Sequence, residues 1–113
     1  IAKVNPQELT SEISTGLFRI YQESLTNIAR HSNASKVSTM LSKENNFLKL
    51  QIHDNGIGFD VEAAGKKGTL GLLGMKERVF MMNGKIEMES KKGEGSTVTI
   101  LAPIESKNNQ TIM

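Results

Sequence analysis

Glu23-Ser24-Leu25-Thr26-Asn27-Ile28-Ala29-Arg30-His31 closes a long stretch of helical periodicity and sets polar groups beside an apolar stripe. Upstream, Ile13, Leu17, Ile20, Ser24 and Ile28 recur at spacings of four, three, four and four, flanked by Phe18, Tyr21 and Leu25. That period predicts a helix from about Ser11 to His31, stopped by Ser32-Asn33. Gly16 is its weak point. Residues four apart share a helix face at about 6 Å, so Glu23, Asn27, Arg30 and His31 are expected to form one polar strip.

Working outward, Ile1 to Val4 suits a short strand closed by Asn5-Pro6. After the helix, Val37, Thr39 and Leu41 alternate with Ser38, Met40 and Ser42. Beyond the turn Lys43 to Asn46, Leu48, Leu50 and Ile52 alternate with Lys49, Gln51 and His53. The pair reads as an antiparallel hairpin with one buried face. No period survives from Asn55 to about Thr69, where Gly56, Gly58, Gly65 and Gly68 suggest a mobile loop of unusual length. Leu72, Met75, Val79 and Met82 then predict a second helix from about Leu70 to the stop at Asn83-Gly84. Ile86 and Met88, a turn at Lys91 to Gly95, and Val98, Ile100 and Ala102 give a second hairpin. The expected fold is an α/β (α+β) two-layer sandwich: a mixed, largely antiparallel sheet with helices on one face. Residues 1–104 read as one domain and 105–113 as a polar, frayed tail.

Composition narrows the function. The 113 residues carry 14 basic and 12 acidic side chains, a net charge of +2 too small to draw the chain to nucleic acid. Four phenylalanines and Tyr21 do not make a stacking surface for bases. There is no cysteine, which excludes disulfides, thiolate metal sites and cysteine nucleophiles. No apolar run approaches the roughly 20 residues that cross a bilayer, and no signal segment opens the chain. It starts on Ile1 rather than Met and reads as a piece of a longer protein.

Several residues suit one nucleotide. The strip of Glu23, Asn27, Arg30 and His31 combines a carboxylate, an amide and two basic groups, able to serve an attacking group, a metal and phosphates. Magnesium prefers oxygen ligands and keeps waters, so Asn27 with phosphate oxygens is a sufficient site. Asp54 ends a strand ahead of Gly56 and Gly58 and can accept a hydrogen bond from an amine such as that of adenine. Nine of the ten glycines lie between Gly56 and Gly95. Backbone amides at Gly71 to Gly74, where a helix opens, suit phosphate. In Gly93-Glu94-Gly95-Ser96-Thr97, Thr97 is the side chain expected to reach a base, directly or through water. Plainer readings stand beside each of these: a solvated helix face, an Asx turn, a flexible linker, a hairpin turn, and Met75 and Met82 as core. His53 lies in a strand and does not read as a phosphoaccepting histidine. The glycine spacing fits neither the P-loop nor the dinucleotide fingerprint.

The ordered set resembles the catalytic ATP-binding domain of a sensor histidine kinase, the Bergerat-type fold shared with DNA gyrase B, Hsp90 and MutL. The likeness covers about Leu17 to Ile104. Glu23 to His31 resembles the N box, and Asp54-Asn55-Gly56-Ile57-Gly58-Phe59 the G1 box. Gly71-Leu72-Leu73-Gly74-Met75-Lys76-Glu77-Arg78 resembles the G2 box, and Gly93 to Thr97 the closing glycine turn. The Arg-His ending and the Gly-Met-Lys-Glu-Arg run favour the branch of nitrate and lipid-fluidity sensors, which has a short lid. Thr69 departs from the pattern, standing where many relatives carry another lid glycine.

The resemblance implies that Asn27 holds Mg2+ and Asp54 binds the adenine amine of ATP, with Thr97 supporting Asp54. Gly56, Ile57, Gly58, Gly71, Leu72, Gly74 and Met75 would shape the pocket and lid, with Arg30 and His31 near the phosphates. Glu23 would polarise the attacking group, unless an acid beside the target histidine does so. It further implies phosphoryl transfer to a histidine on a separate dimerisation domain of the same parent, then to a response regulator. The domain itself would be cytoplasmic and monomeric, without membrane contact, in a homodimeric parent that can be membrane-anchored. A serine kinase of the anti-sigma type and a non-catalytic ATP-sensing module of the same fold are the alternatives.

Overall fold

The computed structural model describes residues 11–60, 62–63 and 71–104. The strand expected at Ile1 to Val4, the lid around Gly65, Gly68 and Thr69, and the 105–113 tail lie outside the described residues. Helix α1 spans Ser11–Asn27 and continues as a π-wound turn over Ile28–Ser32. Strands β1 (Val37–Glu44) and β2 (Phe47–Asp54) follow, then helix α2 (Leu72–Met81), β3 (Lys85–Ser90) and β4 (Ser96–Pro103). The four strands form one sheet in the order β1-β2-β4-β3, with every described pairing antiparallel.

Period decides which side chains meet. Ile13, Leu17, Ile20 and Ser24 are buried along α1, and Leu72, Met75 and Val79 along α2. They cover one face of the sheet, where Leu48, Leu50, Ile52, Ile100 and Ala102 point inward. Burying a side chain of this size contributes about 1.5–3 kcal/mol, so this interlayer is the main source of stability. The opposite face carries Lys49, Gln51, His53, Thr97 and Thr99, as the two-residue period of a strand requires. Left-handed Asn33, Asn45 and Asn83 mark the end of the first helix, the first hairpin turn and the end of α2. Among the described residues, no helix is long and apolar enough to cross a membrane.

β2 buries every second residue: Leu48, Leu50, Ile52 and then Asp54. The alternation that packs three apolar side chains thus drives a carboxylate, 1% exposed, onto the core-facing side at the strand's end. Buried carboxylates persist only with hydrogen-bond partners, and those partners define the site.

Candidate functional site

Asp54 is satisfied from two directions. Its Oδ1 accepts the Gly56 amide at 2.8 Å, and its Oδ2 accepts the Ser96 hydroxyl. β2 and β4 pair Asp54 with Ser96 in register, so both side chains fall on the inner face. Thr97 falls on the other face by the same alternation, and its hydroxyl meets His53 Nδ1 at 2.8 Å. The expectation that Thr97 supports Asp54 is therefore corrected to Ser96. A slip of one residue along a strand reverses the face, and period-two counting back from Ile100 and Val98 would have picked Ser96.

The glycine turn after Asp54 is locked to its neighbours. Gly58 has φ +69 and Gly95 φ +78, conformations that L side chains rarely adopt. A Cβ at Gly58 would overlap the Lys91 carbonyl, and one at Gly95 the Asp54 carbonyl. The Phe59 amide donates to Ser90 Oγ at 2.8 Å, and Ser90 Oγ donates to the Gly95 carbonyl at 3.0 Å. Asn55 ties the turn to the segment leaving the helix, its Oδ1 accepting the Ser35 and Lys36 amides at 2.9 and 3.0 Å.

A cavity partly open to solvent lies between the helical layer and this end of the sheet. Asn27 and His31 line it from the helix and Asp54 from β2, joined by Gly58, Leu72 and Met75. Met75 has both roles considered for it: it is 2% exposed in the core, accepts a contact from Ser24 Oγ at 3.7 Å, and borders the cavity. Ser24, Ile28, Ser32, Ile52, Phe59, Ser96 and Val98 complete the lining. Spacing alone assigned Ile28, Ile52 and Val98 to the core, because a strand or helix end that borders a pocket carries the same period as one that does not.

The remaining candidates stand back from the lining. Arg30 is exposed and absent from it, lying on the outer side of the π turn, whose wider winding turns Ser32 inward while His31 also borders the cavity. The single polar strip expected from α-helical spacing is thus broken at Arg30. Gly56 is buried against Ser32, and Ile57 is 54% exposed. Gly71 begins α2 with φ 62, and a Cβ there would lie 2.5 Å from Glu23 Oε1, so Glu23 faces the start of that helix rather than the cavity lining. Gly74 is exposed, and among the described residues nothing stands close to where its Cβ would be.

Helices over one face of an antiparallel sheet, with a buried carboxylate and a helix-end amide sharing a cleft between the layers, make an α+β sandwich with an interlayer cleft. The chain belongs to the Histidine kinase-, DNA gyrase B-, and HSP90-like ATPase family, whose sequence pattern matches residues 12–106. Domains of this family bind ATP. The chain is 36% identical over 106 residues to the signal transduction histidine-protein kinase/phosphatase DegS of Bacillus subtilis, covering 92% of this chain and 28% of that protein. It is 40% identical over 96 residues to the sensor histidine kinase LiaS of the same organism, covering 85% of this chain and 26% of that one. The chain thus spans about a quarter of the length of these relatives. Among solved structures, the ATP binding domain of PrrB from Mycobacterium tuberculosis superposes with a TM-score of 0.69 at 20% identity, covering 81% of this chain and 69% of that one. That likeness establishes the fold.

Proposed function

We propose that this chain is the ATP-binding catalytic domain of a two-component sensor histidine kinase. The observation that supports it most is the opening of Asn27 and Asp54 onto one cavity, from the helical layer and the sheet. Asp54 keeps acceptor capacity after receiving Gly56 and Ser96, because a carboxylate offers about four lone-pair sites. An adenine amine donates there; guanine, with a carbonyl at the same ring position, meets a repulsive acceptor. Ile28, Ile52 and Val98 supply apolar surface for the ring.

Asn27 and His31 then face the phosphates. The Asn27 amide oxygen is a hard donor that fits magnesium arriving with its phosphates and waters, without a carboxylate cage. Such a cation neutralises charge on the transferring phosphoryl group. The acceptor histidine, on a dimerisation domain of the same parent, attacks the γ-phosphorus in line. The bond to the bridging oxygen breaks, ADP leaves, and the ring proton goes to a nearby base; Glu23 or an acid beside that histidine polarises the ring. The phosphoramidate is next consumed by an aspartate of a response regulator. The domain acts in the cytoplasm and by itself binds ATP while autophosphorylating poorly.

Titration with a magnesium-bound ATP analogue tests the binding half. Supplying a histidine-bearing dimerisation domain and radiolabelled ATP tests the transfer, which should yield an acid-labile phosphate. Acid-stable product would indicate serine phosphorylation, and tight binding without transfer a sensing module; either result contradicts the histidine kinase reading.

A further inference from the structure

The first helix ends in a π-wound turn, Ile28–Ser32. Such turns are rare and occur frequently at functional sites. Here Ser32 holds it. Its hydroxyl donates to the Ile28 carbonyl at 2.8 Å, the acceptor that the amide of residue 32 would use in an α-helix. The same oxygen accepts the Ala34 amide at 3.1 Å, where the chain leaves through left-handed Asn33. The Ser32 carbonyl accepts the Ile57 amide at 2.7 Å and sits so close to Gly56 that a Cβ there would overlap it. Gly56 in turn donates to Asp54. Ser32 is 8% exposed and borders the cavity.

One residue thus joins the turn that follows Asn27 and presents His31 to the turn anchored on Asp54. We propose that Ser32 is a positioning residue that sets the phosphate- and metal-facing end of the site relative to its adenine-facing end. The inference rests on the ATP-binding reading above. The hydroxyl shapes the wide turn, while the carbonyl, which any substitution keeps, fixes that turn to the glycine loop. Removing the hydroxyl lets the helix end rewind toward α-geometry. The residues after Asn27, His31 among them, then shift relative to Asn27 and the phosphates, and Asp54 keeps Gly56 and Ser96.

The test compares two ligands on the same domain: a magnesium-bound, non-hydrolysable ATP analogue by calorimetry and adenosine by NMR titration. Ser32→Ala should weaken the ATP analogue about tenfold while adenosine stays within about twofold. Ser32→Thr, which keeps the hydroxyl, should restore the ratio. Should Ser32→Ala not fold, Ser32→Cys, similar in size with a weak donor, should shift the ratio in the same direction. A merely structural role predicts a lower melting temperature with both affinities moving together, or neither moving; either pattern overturns the inference and leaves the ATP-binding reading intact. A parent domain that binds no ATP analogue at all removes both.

Discussion

Asp54 and Ser96 are cross-strand partners whose side chains meet on the buried face of the sheet, the hydroxyl donating to the carboxylate. With the Gly56 amide on the other oxygen, the carboxylate is aimed into the cleft and held there before any ligand arrives. Such preorganisation removes an ordering cost from binding.

Asp54→Asn puts an amide nitrogen where one acceptor oxygen stood. It confronts the adenine amine with a donor, while the other side-chain oxygen still accepts Gly56. Affinity for ATP should fall about 10–100-fold, as expected for losing a charged hydrogen bond in a buried site. Preference for ATP over GTP should shrink in parallel. Isothermal titration with both nucleotides reads this out, and an unchanged preference would remove adenine recognition from Asp54.

Ser96 and Thr97 adjoin in sequence and separate in space. Ser96→Ala should weaken ATP binding several-fold, up to about tenfold, by freeing the Asp54 carboxylate to turn. Thr97→Ala breaks the His53 contact on the outer face and should leave affinity within about twofold. The reverse ranking in a binding titration would contradict the register of β2 and β4.

Two glycines of the glycine-rich motifs, Gly58 in a turn and Gly74 in α2, should respond in opposite ways. Gly58→Ala forces a Cβ onto the Lys91 carbonyl at a positive φ and should cost about 1–3 kcal/mol. Gly74→Ala places a methyl within α2 where no described residue stands close and should stabilise by about 0.5–1 kcal/mol. Urea denaturation of both variants checks the pair; loss of stability at Gly74 would show an unseen close approach.

Ile20 is fully buried at the centre of α1. Ile20→Ala removes side-chain carbons facing the sheet and should cost about 2–5 kcal/mol. Denaturation followed by circular dichroism would register it as a lower midpoint. A change under 1 kcal/mol would mean that α1 does not anchor the sheet.

Much of this was legible before the structure. The stripe Ile13, Leu17, Ile20 and Ser24 and the alternation Leu48, Leu50 and Ile52 each required one face to be apolar, and both faces meet in the core. Asp54 stands out in the sequence as a carboxylate at a strand end, where Gly56 and Gly58 let backbone approach closely. What misled was geometry that departs from the regular period. The π turn keeps the polar residues of an α-helix in sequence but changes which of them face inward, so Arg30 was grouped with Asn27 when Ser32 holds the inner position. Ser96 and Thr97 both carry a hydroxyl, and strand phase decides which of them meets Asp54. Gly74 shows that a glycine within a recognised motif does not by itself reveal a close contact.

The central claim is that Asn27 and Asp54 act on opposite ends of one nucleotide. Magnesium titrations of ATP-analogue binding to Asn27→Ala test it most directly. The account predicts that this variant loses the gain in affinity that magnesium confers on the parent domain, while adenosine binds it as before. Magnesium enhancing the variant and the parent equally would contradict the account.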